Sequence, residues 1–279
     1  MMADLPRSIF LHIPKTGGTT LRTVIRTQYP VEARFEIEHY DVPGSVDRLL
    51  GLDSDAQSKI RMIYGHHPFG IHSVFPGDWR YLTVLREPAE RILSHYHYVI
   101  RTPLLRQHRE IVEANFTLKE YVSRAPGARF FNNGQTRYLG ASNFLREGVA
   151  TRASLERAKD NLGRSFSVVG TTTRFDESLI LMKRALGWDW PVYESRQVSP
   201  IKRSKDDLAP DELDMIMELN DLDVQLYEFA RDRLEARLSQ QSASFWSDLE
   251  TFKQKQRAAT ARKQRRDRLA RLLHAVITR

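Results

Sequence analysis

The stretch from Phe10 to Leu21, FLHIPKTGGTTL, carries the residue types best suited to chemistry. An apolar run enters a glycine pair and leaves into a helical pattern, so backbone N–H groups converge where a helix N-terminus adds about half a positive charge. Lys15 and the hydroxyls of Thr16, Thr19 and Thr20 supply side-chain donors around Gly17 and Gly18, a combination that suits a phosphate group. A Walker nucleotide loop places its lysine after the glycines; here Lys15 precedes them and no glycine lies upstream. Taken alone, the same glycines also fit a plain strand-to-helix turn.

A second stretch, YLTVLREPAERILSHYH from Tyr81 to His97, ends an apolar run on Arg86 and continues into a helix with Pro88 in its first turn. Arg86 then reaches the carboxyl edge of a sheet, where open α/β folds bind ligands. Ser94, on the following helix, can join it in a clamp for a second phosphate. The competing reading is an ion pair of Arg86 with Glu87 or Glu90.

These groups need a scaffold. Strands are predicted at 8–13, 60–65, 81–86 and 166–170, and helices at 151–163, 174–187 and 211–238. Helical periodicity also follows the first strand at Leu21, Val24 and Ile25, and the third at Ala89, Ile92, Leu93, Tyr96 and Ile100. Such alternation predicts an α/β fold with a central parallel sheet covered on both faces. A chain of 279 residues with 41% apolar content can bury that core. The absence of cysteine excludes a disulfide framework, a thiolate metal site and a cysteine nucleophile. His95 and His97 stand two apart on a helix and cannot share a metal, so no metal is expected.

The pair HIPKTGGTT and VLREPAERILSHY resembles the donor-binding signature of sulfotransferases, in particular the carbohydrate O-sulfotransferases of the heparan sulfate 2-O type. The segment YGHHPFG, Tyr64 to Gly70, looks like the catalytic-histidine segment of that family. The resemblance implies a three-layer, P-loop-like sulfotransferase fold and 3′-phosphoadenosine 5′-phosphosulfate (PAPS) as donor. It implies that Lys15, Thr16, Gly17, Gly18, Thr19 and Thr20 hold the 5′-phosphosulfate and that Arg86 and Ser94 hold the 3′-phosphate. Lys202 and Arg203, on a late polar loop, are further candidates to close over the nucleotide. Many members carry an aspartate after the arginine; this chain has Glu87.

An acceptor hydroxyl needs a general base, and histidine suits that work near neutral pH. His66 is the first choice and His67 the alternative, since neighbours on an extended chain face opposite ways. Asn133, Gln135 and Arg137, close to Phe130 and Phe131, are candidates to bind a carbohydrate or glycoconjugate acceptor. Rival readings are a nucleotide-dependent kinase with a related phosphate loop and a non-catalytic nucleotide- or polyanion-binding protein.

The chain divides into a domain at 1–240 and a basic helical extension at 241–279. Residues 252–279 hold ten lysines and arginines against Asp267 alone, exceeding the formal charge of +8 for the whole chain. The first 251 residues are therefore close to neutral. The extension reads as a solvated charged helix, as an amphipathic helix against an anionic membrane or a partner helix, or as a polyanion-capturing arm, with nucleic acid ranked last. The apolar run near the N-terminus is too short for a signal-peptide core, which gives the expectation of a cytoplasmic protein, peripheral to the membrane if the extension docks there.

Overall fold

The computed structural model describes residues 5–38, 40–75, 77–124, 132–145, 148–193 and 204–277. Lys202 and Arg203 lie outside the described residues, as do Phe130 and Phe131. In chain order the elements are β1 (Ser8–Leu11), α1 (Gly18–Gln28), β2 (Arg34–Ile37), α2 (Val42–Leu50), α3 (Ser54–Lys59), β3 (Met62–Gly65), β4 (Arg80–Leu85), α4 (Pro88–Ile100), α5 (Arg106–Glu113) and α6 (Leu118–Arg124). There follow α7 (Gly134–Leu139), α8 (Arg152–Arg164), β5 (Phe166–Thr171), α9 (Phe175–Leu186), α10 (Pro210–Leu219), α11 (Asp221–Ser239) and α12 (Ala243–Ile277).

The strands form one sheet in the order β2-β3-β1-β4-β5, with every pairing parallel. Parallel strands need crossovers, and the helices between them cover both faces. On one face Phe10, Met62, Tyr64, Leu82 and Val168 pack against Leu21, Val24 and Ile25 of α1 and Leu179 and Met182 of α9. Alternation sends Ile9, Leu11, Ile63, Tyr81 and Val169 to the other face, against α2, α7, α8 and α11. This is the three-layer α/β arrangement expected from the sequence. A separate cluster joins α4, α5, α6 and α10.

Beyond the short helices α2, α3, α5, α6 and α7, which no sequence pattern anticipates, two elements differ from expectation. β2 is an additional edge strand, RFEI, whose Arg34, Phe35 and Glu36 are only partly buried. Its Glu36 pairs at 2.7 and 2.8 Å with Arg22 and Arg26 of α1. The helix expected at 211–238 is broken between α10 and α11 at Asn220 (φ −123°, ψ 27°). Asn220 is fully buried, its amide donating to Ile216 O and its Oδ1 accepting from Asn133 N. Those bonds satisfy backbone groups that a continuous helix end would otherwise leave unpaired.

The first turns of α12 are part of the core. Phe245, Leu249 and Phe252 are buried in the same cluster as α9, each aromatic contributing about 2–3 kcal/mol of burial. Arg184 of α9 binds Asp248 at 2.7 Å and Ser244 at 3.1 Å. Beyond 256 nearly every described side chain is exposed.

Candidate active site

β1 and β3 are paired with Leu11 opposite Gly65, so the residues that follow them, His12 and His66, emerge side by side at the carboxyl edge of the sheet. Their rings stack with centroids 3.8 Å apart. His66 Nδ1 lies 2.9 Å from His12 O. A carbonyl only accepts, so Nδ1 carries the proton and Nε2 is left as the acceptor nitrogen. That is the tautomer a general base requires.

The loop after β1 is held in an unusual backbone shape. Lys15 and Gly17 both have positive φ, 70° and 85°, and Gly17 leads into α1 with no side-chain cap and no acid in the first turn. Left-handed residues interspersed in such a turn bring N–H groups together into an anion-binding concavity. Gly18 answers a close approach: a Cβ there would lie 1.8 Å from His12 Nε2. Thr16 is fully buried and its hydroxyl donates to Ile13 O, which fixes the turn from inside. Thr19 and Thr20 sit on the first turn of α1, Thr19 exposed and Thr20 partly so.

The Lys15 ammonium lies over the ring of Tyr98 on α4, 4.1 Å from its centroid. Burial, together with the charges of Arg86 and Arg101, pushes its pKa down from 10.5 to about 8. Lys15, Arg86 and Arg101 crowd one another beside the start of α1, which makes this a place deficient in negative charge. Lys15 precedes α1 rather than opening it, unlike a Walker lysine.

Arg86 follows β4, and its guanidinium points between the loop and α4. Its Nη1 is 3.5 Å from Lys15 O and its Nη2 pairs with Glu90 at 3.0 Å. Ser94 stands one turn beyond Glu90 on the same face of α4. The Arg86–Glu90 ion pair weighed from the sequence is therefore present, and it aligns the arginine with the row that holds Ser94. Beside it opens a cavity of about 750 Å³ between the ends of β4 and β5, α4 and α11, lined among others by Arg86, Glu90, Thr172, Lys205, Tyr227 and Arg231. Neither Lys15 nor His66 lines it, so this space and the loop are adjoining compartments that meet at Arg86.

His67 faces the other way. It is fully buried, its Nδ1 donates to Pro68 O at 2.9 Å, and burial lowers its pKa to about 4. A group with no exposure cannot reach an acceptor that arrives from solvent. Asn133 and Gln135, read from the sequence as acceptor contacts, are struts instead. Gln135 is fully buried and brackets the backbone of Arg86, accepting from Arg86 N at 2.9 Å and donating to Arg86 O at 2.8 Å. Asn133 binds Leu219 O and the backbone N of Asp223. Arg137 is partly exposed on α7. Among the described residues no cluster of histidine and carboxylate side chains could hold a metal ion.

The model of the galactose-3-O-sulfotransferase family matches residues 6–277. This chain belongs to that family. Heparan-sulfate 6-O-sulfotransferase 1 of Cricetulus griseus is 27% identical over 283 residues, 82% of this chain and 67% of that protein. The Homo sapiens enzyme of the same name is 28% identical over 281 residues, 82% and 66%. Heparan sulfate 2-O-sulfotransferase hst-2 of Caenorhabditis elegans is 26% identical over 200 residues, 63% and 58%. The chain thus spans about two thirds of the length of these vertebrate relatives. Among solved structures, mouse sulfotransferase SULT7A1 complexed with PAP has a TM-score of 0.42 and 12% identity, covering 78% of this chain and 65% of that one.

Several residues that shape the site of this sulfotransferase were not singled out from the sequence. His12 both orients His66 and fills the space over Gly18. Fully buried Arg91 and Asp223 tie four elements together. Arg91 Nε donates to Pro14 O at 3.1 Å and its Nη1 pairs with Asp223 at 3.5 Å. The Asp223 carboxylate also accepts from the backbone N of Gln135 and Thr136 at the start of α7, where the helix dipole favours negative charge. An arginine within α4 and an aspartate in the first turn of α11 carry no local signal of partnership 132 residues apart.

Proposed function

We propose that this carbohydrate sulfotransferase moves the sulfuryl group of PAPS to a hydroxyl of an anionic polysaccharide, with His66 as the base and the loop from Lys15 to Thr20 as the 5′-phosphosulfate cradle. One observation carries the reading. An imidazole in its base tautomer stands against a cation-rich, left-handed loop, because β1 and β3 are neighbours in register. The residues fit the donor: the loop presents converging N–H groups, and Lys15 is held in a state that an anion would relieve. The relatives named for heparan sulfate support the acceptor class.

When bound, the donor supplies a sulfonate whose bond to the 5′-phosphate breaks as the acceptor oxygen attacks sulfur in line. Negative charge gathers on the bridging oxygen in that transition state. Lys15 offsets it, and as a preorganised cation in a partly desolvated pocket it acts with less screening than in water. His66 Nε2 takes the proton of the attacking hydroxyl, while His12 O holds the opposite ring nitrogen and keeps the base aimed. Arg86 and Ser94 grip the 3′-phosphate at the boundary with the 750 Å³ cavity, which has room for the nucleoside. Gln135 fixes the backbone of Arg86, so the grip is set before ligand arrives.

A thermal-shift comparison tests this assignment. 3′-Phosphoadenosine 5′-phosphate at 100 times its Kd should stabilise the protein by about 2.7 kcal/mol, whereas ADP, or ATP with Mg²⁺, should do so far less. Equal stabilisation by ATP refutes the 3′-phosphate roles of Arg86 and Ser94. Transfer of radiolabelled sulfate from PAPS to a desulfated heparan-type polysaccharide reads the reaction itself.

A further inference from the structure

We propose that the exposed basic part of α12 is an arm that captures the polyanionic acceptor chain and feeds it to the active site. The inference rests on the acceptor class proposed above, but its test does not require turnover.

The first support is where the arm leaves the body. α9 follows β5, so its first turn lies at the carboxyl edge of the parallel sheet, the edge that holds the loop and His66. Phe175, the first residue of α9, approaches Gly17 so closely that a Cβ there would lie 3.0 Å from its ring. α12 runs antiparallel to α9. Its Asp248 and Ser244 meet Arg184 in the last turn of α9, whereas Lys253 faces Asp176 in the first turn. The docked part ends at Gln256, whose amide exchanges two hydrogen bonds with the backbone of Tyr193, at 3.0 and 2.7 Å. Tyr193 in turn makes an edge contact with Phe175 at 6.1 Å. Gly17, Phe175, Tyr193 and Gln256 therefore form a continuous series from the phosphate loop to the point where α12 leaves the core. The helix continues to Ile277, roughly 30 Å further at 1.5 Å per residue.

The second support is how charge is placed on the arm. Between 257 and 268 the helix carries Arg257, Arg262, Lys263, Arg265, Arg266 and Arg268 against Asp267. All but Lys263 are exposed. Between 257 and 268 the six cations, at 100° per residue, fall at widely separated angles and leave no apolar stripe among them; Leu269, Leu272, Leu273 and Val276 make a short one only in the last turns. A helix that lies in a membrane interface or seats on a partner helix needs such a stripe. A rod charged on all sides suits a flexible polyanion that wraps or slides along it, and gains affinity by releasing condensed counterions. The acceptor becomes more anionic with every sulfate added, so attraction to the arm also holds it for repeated transfer.

The test compares the full-length protein with a variant carrying Arg262→Gln, Lys263→Gln, Arg265→Gln and Arg266→Gln. None of these residues contributes to the catalytic or donor-binding groups. Heparin is the probe, with dextran as the uncharged control. At 0.15 M salt the variant should bind heparin about tenfold more weakly, and its log affinity should fall less steeply with log salt, by about three in slope for the four cations removed. KM for a long acceptor should rise about tenfold, with kcat on a disaccharide acceptor and the melting shift with 3′-phosphoadenosine 5′-phosphate unchanged. A second variant, Arg262→Lys, Arg265→Lys and Arg266→Lys, keeps the charge and should behave as wild type. Unchanged heparin affinity and salt slope in the glutamine variant overturn the proposal. So does tighter wild-type binding to phosphatidylserine vesicles or duplex DNA than to heparin at the same salt, and so does arm-dependent self-association in sedimentation. If heparin binds through the arm but no sulfate is transferred, the arm stands and the enzymatic reading fails.

Discussion

Lys15→Met removes a half-buried ammonium from beside Arg86 and Arg101 while keeping a flexible apolar stem of similar length. The fall of its pKa from 10.5 to about 8 corresponds to about 3 kcal/mol of unfavourable charge burial at full shielding, and solvent contact reduces this to about 1–2 kcal/mol. Loss of the ammonium over the Tyr98 ring returns about 0.5–1 kcal/mol in the other direction. The ligand-free variant should therefore be more stable than wild type by about 1 kcal/mol, a rise in Tm of roughly 2 °C for a chain of this size. The sign has a pH signature. A lysine whose folded pKa is lowered destabilises the fold fully below pH 8, and wild type recovers that stability as pH rises from about 8 towards 10.5. The advantage of the variant should thus be largest at pH 7 and shrink across that window. Adding 3′-phosphoadenosine 5′-phosphate should reverse the order, since only wild type offers the cation to the 5′-phosphate. Calorimetric or fluorescence melts of both proteins from pH 7 to 10, with and without ligand, read all three effects. A variant that melts below wild type at pH 7 without ligand, or a difference that stays flat to pH 10, refutes the view of Lys15 as a cation awaiting its anion.

His66→Ala should lower kcat by about 10²–10⁴, the range for loss of a general base, while the melting shift with the donor product persists; unchanged turnover moves the base elsewhere. His67 should act on stability rather than rate: its folded pKa of about 4 against 6.5 unfolded means that stability is lost as pH falls through that interval, and His67→Phe should flatten the loss in acid melts. Gly18→Ala places a Cβ 1.8 Å from His12 Nε2, costing about 1–3 kcal/mol by overpacking and reducing kcat by displacing the stacked His66; denaturant titration with steady-state rates checks both. Asp223→Ala strands Arg91 and uncaps α7, with an expected cost of about 3–5 kcal/mol in urea unfolding, and a loss under 1 kcal/mol would show that the pair does not hold the loop.

The sequence by itself determined the strands β1, β3, β4 and β5, the loop between Lys15 and Thr20, and the strand-to-helix turn at Arg86. In each the signal is local: an apolar run long enough for a buried parallel strand, then glycine or proline where the chain must turn. It also determined the charge of the C-terminal helix, because charge is a property of composition. Tertiary structure decided the rest. β2 has half-exposed polar residues and becomes a strand only because β3 offers an unpaired edge. Asn220 breaks a pattern of unbroken helical period because a partner 87 residues away, Asn133, binds its side chain. Polar residues such as Asn133 and Gln135 look alike in sequence whether they meet a sugar or a buried backbone, and only burial separates the two. Which histidine faces the cleft depended on the neighbour of β3 in the sheet. Where the basic helix leaves the core depended on its antiparallel seat on α9. Distant contacts fix orientation, and orientation turns a set of suitable residues into a site.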